Sequence, residues 1–84
     1  MDIKVHPRVR TYIIESGEKE TLVAHLRLLQ NDPYHKRAEV DIKKLKGKKH
    51  TLYRLRVGIH RFEYFIEEET IWVDRAFKRE QGYR

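Results

Sequence analysis

The sequence has 84 residues, no cysteine and a formal net charge of +6. That length holds one domain, taken as 1–84, and the missing cysteines exclude disulfides and thiolate metal centres. Charged residues make up 38% of the chain, yet nine aromatics argue for a packed core over disorder.

No apolar run is long enough to span a bilayer, and residues 1–7 lack the apolar stretch of a secretory leader. The expected compartment is therefore the cytoplasm, with no membrane partner. The charge is unevenly spread. Residues 1–42 carry seven Lys/Arg against seven Asp/Glu, whereas residues 43–84 carry twelve against six. An excess confined to one half predicts a face that meets a polyanion.

In chain order, residues 2–6 alternate polar and apolar as a short strand does. Pro7 suits the first turn of a helix, and Val9, Tyr12 and Ile13 follow at helical spacing. Ser16 and Gly17 end that helix. A second helix is predicted over 18–30, with Leu22, Leu26 and Leu29 as its apolar stripe, and Asn31, Asp32 and Pro33 stop it. The two helices form a hairpin. Residues 34–50 read as a polar loop, loosely anchored by Val40, Ile42 and Leu45 and ending in a lysine run that includes Lys46, Lys48 and Lys49.

Three strands follow at 51–57, 60–67 and 70–76, joined by short turns at 58–59 and 67–69, so they form an antiparallel meander. Alternation puts Tyr53, Leu55 and Val57 on one face with Phe62, Tyr64 and Ile66, and Arg54, Arg56, Arg61 and Glu63 on the other. The helices should cover the apolar face and leave the arginines open. The expected fold class is α+β: a short N-terminal strand and a helical hairpin packed on a C-terminal antiparallel meander. Trp72, Tyr12 and Tyr34 read as core residues, and His25 and His35 have no evident partner.

Several of these pieces, in this order, resemble the RelE/ParE toxin superfamily of toxin–antitoxin systems. They are the run from Asp41 to Gly47 in the loop, the run from Tyr53 to Arg61 through the first meander strand and its turn, and Phe62, Glu63 and Tyr64 after it. Residues from Arg75 to Tyr83 complete the pattern. The resemblance implies a RelE-like fold and a toxin held inactive by a RelB-like antitoxin. Its RelE-type members cleave mRNA on the ribosome, and its ParE-type members act on DNA gyrase. The presence of Arg56, Arg61, Arg79 and Tyr83 together favours the RelE-type reading, a ribosome-dependent endoribonuclease. The other readings are a ParE-type gyrase inhibitor and an RNA-binding relic without chemistry.

The resemblance further implies Arg56, Arg61, Arg79 and Tyr83 as the catalytic set, Arg61 gripping phosphate and Tyr83 stacking on a base. Lys46, Lys48, Lys49, Arg54, His60 and Lys78 are the expected RNA-binding set. No cofactor and no metal are expected: the sequence shows no His, Cys or acidic cluster at metal-ligand spacing. Metal-free RNA cleavage uses the neighbouring 2′-hydroxyl as nucleophile and needs a base, an acid and cations around the phosphorus. Where some family members carry lysines, this chain has Arg54 and Arg56, which bind phosphate but are poor proton acceptors. His60 is the one group beside this face that titrates near neutrality, although alternation with Arg61 turns it toward the core. A second departure is Phe77 and Lys78, where the family often has a glycine.

Overall fold

The computed structural model describes residues 1–47 and 49–79. Its elements are β1 (Asp2–Val5), α1 (Pro7–Glu15), α2 (Lys19–Leu28), β2 (Asp41–Leu45), β3 (Leu52–Val57), β4 (His60–Glu67) and β5 (Thr70–Lys78). The strands form one sheet in the order β1-β5-β4-β3-β2. β1 runs parallel to β5, and the other three pairings are antiparallel. The class is α+β, and the meander and the two helices stand where alternation and helical spacing place them.

The helices owe their limits to local chemistry. Pro7 occupies the first turn of α1, and the imidazole Nδ1 of His6 accepts the Arg8 N–H at 3.1 Å. At the other end the Ser16 hydroxyl donates to the Ile13 carbonyl at 2.6 Å and accepts the Glu18 N–H at 2.9 Å. Gly17 then turns the chain at φ +75°. The second helix is shorter than its apolar stripe predicts. After Leu28 the N–H groups of Leu29, Gln30 and Asn31 bond three residues back, to Leu26, Arg27 and Leu28. The last turn is thus tightened, and Leu29 stays buried without being α-helical. The Arg37 guanidinium closes this end by donating to the carbonyls of Leu28, Asp32 and His35. Asp32 accepts the Tyr34 and His35 N–H groups. The Tyr34 N–H, followed by the His35 ring, holds its carboxyl below the usual carboxylate range.

The segment 34–50 corrects the expected loop, because residues 41–45 add a strand to β3. Only Ile42 is buried along it, and Lys43 and Lys44 are exposed, so its own pattern is too polar to announce a strand. Its order comes from the ladder with β3, where Ile42 pairs with Leu55. Lysines on such an edge discourage pairing with another chain.

Val9, Ile13, Leu22, Leu26 and Leu29 cover a sheet face of Leu55, Val57, Phe62, Tyr64, Ile71 and Val73. The Tyr64 hydroxyl donates to the Pro33 carbonyl at 2.6 Å. Burial pushes that phenol well above its ordinary pKa. Two expected core residues lie elsewhere. Tyr34 is exposed, edge-on to Tyr53, and Trp72 points to the other face between buried Ile71 and Val73. Of the two unpartnered histidines, His25 Nδ1 donates to the Thr21 carbonyl and His35 pairs with Asp32.

The β4–β5 turn carries stored strain. Glu68 and Glu69 both hold positive φ, 51° and 59°, as a two-residue hairpin loop demands, but glutamate pays a Cβ clash there. Glu69→Gly is expected to stabilise the fold by about 0.5–1 kcal/mol after the glycine's extra unfolded-state entropy is discounted. A thermal melt raised by a few degrees checks this.

Candidate nucleic-acid interface

Register defines what faces away from the helices. Arg54 stands between Lys43 on β2 and Glu63 on β4, and Arg56 stands between Asp41 and Arg61. Beyond Glu63 comes Arg75, and beyond Arg61 comes Phe77. Residues paired across a ladder share a face, so this outer surface collects the arginines that alternation alone had grouped.

The densest part is a cleft of about 260 Å³ lined by Lys36, Asp41, Ile42, Lys43, Arg54 and Arg56. Its carboxylate is already engaged. Asp41 accepts from Arg56 Nε at 2.7 Å, and its other oxygen lies 3.6 Å from Lys36 Nζ. No described carboxylate pairs with Lys43 or Arg54. Glu63 meets Arg75 at 3.3 Å instead. Four cations around one carboxylate leave an unbalanced positive field at a concave polar surface, suited to an anion with several oxygens.

Arg61 belongs to this face but is only 6% exposed, which corrects the expectation of a fully open arginine. Its Nη1 donates to the Gly58 and His60 carbonyls at 2.8 and 3.1 Å, so the turn that precedes it fixes its head. The Arg79 N–H donates to the Ile59 carbonyl at 2.8 Å, which brings Arg79, itself exposed, beside the same turn. Arg56, Arg61 and Arg79 are therefore gathered around one end of the sheet. Lys46 and Lys49 are exposed in the β2–β3 loop. Lys48 and Tyr83 lie outside the described residues.

Two expected RNA contacts fall on the opposite face. His60 is 3% exposed under the helices. Its Nε2 lies 2.7 Å from the Glu18 carboxylate and its Nδ1 2.6 Å from the Tyr12 hydroxyl. A carboxylate only accepts, so Nε2 carries the proton, and in the neutral ring Nδ1 accepts from tyrosine. Both nitrogens are thus spent tying β4 to α1 and to the start of α2. Burial, and secondarily the Glu18 charge, raises the pKa of the Tyr12 phenol. Lys78 pairs in register with His60, so it too leaves the arginine face. Conversely, Lys36, Asp41 and Lys43 were missed. Had 41–45 been read as a strand, its alternation would have put Asp41 and Lys43 beside the arginines. Among the described residues no three His, Cys, Asp or Glu gather as metal ligands would, and no helix is long and apolar enough to cross a membrane.

Two helices over a five-stranded mixed sheet give the chain a RelE-like fold. It is similar over 93% of its length to a chain of the archaeal RelE–RelB complex from Pyrococcus horikoshii OT3, with a TM-score of 0.77, 23% identity and 93% of that chain covered. It is similarly close to the RelB–RelE antitoxin–toxin complex of Methanococcus jannaschii, with a TM-score of 0.71, 22% identity, and 94% and 93% of the two chains covered. No protein-family model and no curated protein matches the sequence.

Proposed function

We propose that this chain is the toxin of a toxin–antitoxin pair, an endoribonuclease that cuts mRNA on the ribosome in the cytoplasm and is silenced by a RelB-like antitoxin. The observation that carries this reading is the cleft of Lys36, Lys43, Arg54 and Arg56 on the outer face of a RelE-like sheet. The similar archaeal chains were solved bound to RelB, which supports an antitoxin partner here.

In the proposed reaction the 2′-hydroxyl of one nucleotide attacks the adjacent phosphorus and the 5′-oxygen leaves, giving a cyclic phosphate. The protein's largest contribution is to stabilise the extra negative charge on the phosphoryl oxygens. Arg56, Arg61 and Arg79 surround one end of the face where that charge would develop, with Tyr83 as the expected base-stacking ring. Proton removal falls to a group other than His60, whose ring is engaged under the helices, and arginine is unsuited to it.

Expression without the antitoxin, followed by mapping of mRNA 5′ ends, tests the reading. Cuts inside translated codons are expected, and Arg61→Ala or Arg79→Ala should reduce them at least tenfold. Growth arrest with intact mRNA and trapped gyrase would instead assign the ParE-type activity. Normal growth would point to a relic.

A further inference from the structure

Beside the arginines, the outer face carries a row of aromatic rings that the proposed chemistry does not use. Trp72 pairs in register with Phe65 on β4 and with Lys4 on β1. Lys4 Nζ lies 5.2 Å from the Trp72 ring centroid. On the far side the His50 ring stacks on Phe65, 4.3 Å between centroids and 11° from parallel. Trp72 is 36% exposed, while its neighbours Ile71 and Val73 already fill the core beneath. Neither Trp72 nor Phe65 belongs to that core.

Its position gives it a meaning. Phe65 lies two residues along β4 from Glu63, which shares a row with Arg54 and Lys43. Two residues of strand span roughly 7 Å, the scale of one nucleotide. A strand of RNA whose phosphates sit on the Arg54 row thus has a base within reach of the Trp72 and Phe65 rings. The His50 ring already covers one face of Phe65, so the exposed Trp72 ring is the surface left for a base, and Lys4 adds a cation at its outer end. Gly47 holds the loop that brings His50 there. A Cβ at this glycine would collide with the His50 carbonyl oxygen, so the loop closes tightly only with glycine. Flat rings beside a cationic groove are how proteins hold single-stranded nucleic acid.

We infer that Trp72 and Phe65, flanked by Lys4 and His50, form a base-stacking site for single-stranded RNA whose phosphates lie on the arginine row. The inference rests on the RNA reading above and adds a stacking site separate from the role expected of Tyr83.

The chain's single tryptophan makes the site directly visible. The full chain is titrated with a short single-stranded oligoribonucleotide and with inorganic polyphosphate, following Trp72 fluorescence and, separately, the anisotropy of a labelled RNA. RNA is expected to quench Trp72, and polyphosphate to compete for the arginines without comparable quenching. Trp72→Ala should weaken RNA binding roughly 5- to 100-fold and leave polyphosphate binding unchanged, which also shows that the variant is folded. Trp72→Phe should recover most of the loss. RNA that binds by anisotropy without quenching Trp72, and equally well to Trp72→Ala, overturns the stacking site and leaves the RNA reading standing. Failure of RNA to bind at all overturns both. Quenching by the antitoxin alone, with RNA silent, would reassign the row to a protein contact.

Discussion

Replacing Arg54 and Arg56 together by alanine is expected to weaken the binding of single-stranded RNA by roughly 100-fold or more, with little loss of stability. Each guanidinium offers charge-assisted hydrogen bonds worth about 1.5–3 kcal/mol when the partner is a phosphate. Losing two such contacts therefore costs about 3–6 kcal/mol of binding, or two to four decades. The salt dependence should change as well. With two fewer phosphates neutralised, the slope of log affinity against log salt should be shallower by about 1.4. The fold should barely notice. Arg54 meets no described carboxylate, and the Arg56 pair with Asp41 has its arginine side chain more than half exposed, so solvent screens it. Asp41→Asn carries the opposite sign. It releases Arg56 and Lys36 from their competing anion, and RNA affinity should rise a few-fold. Anisotropy titrations at three salt concentrations check all of this. An unchanged slope in the double variant would remove the cleft from the interface.

What could be read in the sequence was whatever has a period. The helices came from the three- and four-residue spacing of Val9, Ile13, Leu22 and Leu26, and the meander from the alternation of Leu55, Val57, Phe62 and Tyr64. The face of Arg54, Arg56 and Arg61 followed from that alternation, since a strand in register keeps its parity across the ladder. Residues 41–45 escaped because four of five are charged or only partly buried, and their order is supplied by β3 rather than by themselves. Trp72, the only tryptophan and mid-strand, reads as core, although its alternation with Ile71 and Val73 places it on the opposite face. Local pattern was silent on pairwise chemistry. Nothing near His60 in the sequence announces Tyr12 and Glu18, 48 and 42 residues away, so its engagement under the helices needed the tertiary structure. The depth of Arg61 was hidden in the same way, because its hydrogen bonds run to turn carbonyls that alternation does not describe.

Alkaline pH is expected to destabilise this protein through Tyr64, and the comparison with Tyr64→Phe should show curves that converge. Burial raises the Tyr64 phenol well above the ordinary value of about 10 that it regains on unfolding. Below pH about 10 both states hold the proton and stability is unaffected. Above it the unfolded chain releases the proton and the native chain does not, so the native state binds more protons. Stability must then fall, by about 1.4 kcal/mol per pH unit for this one group. Phenylalanine at this position has no proton to lose. At neutral pH, however, it strands the Pro33 carbonyl that the hydroxyl now satisfies, at a cost of about 1–3 kcal/mol. The wild type should therefore be the more stable protein near pH 7. Its advantage should shrink above pH about 10 and vanish about one to two pH units higher. Tyr12, also raised by burial and then by Glu18, pulls in the same direction, but it is present in both proteins and cancels from the difference. Urea unfolding of the two chains across that range measures the gap directly. Curves that stay parallel through pH about 11.5 would mean that the Tyr64 phenol titrates alike in the folded and unfolded chain.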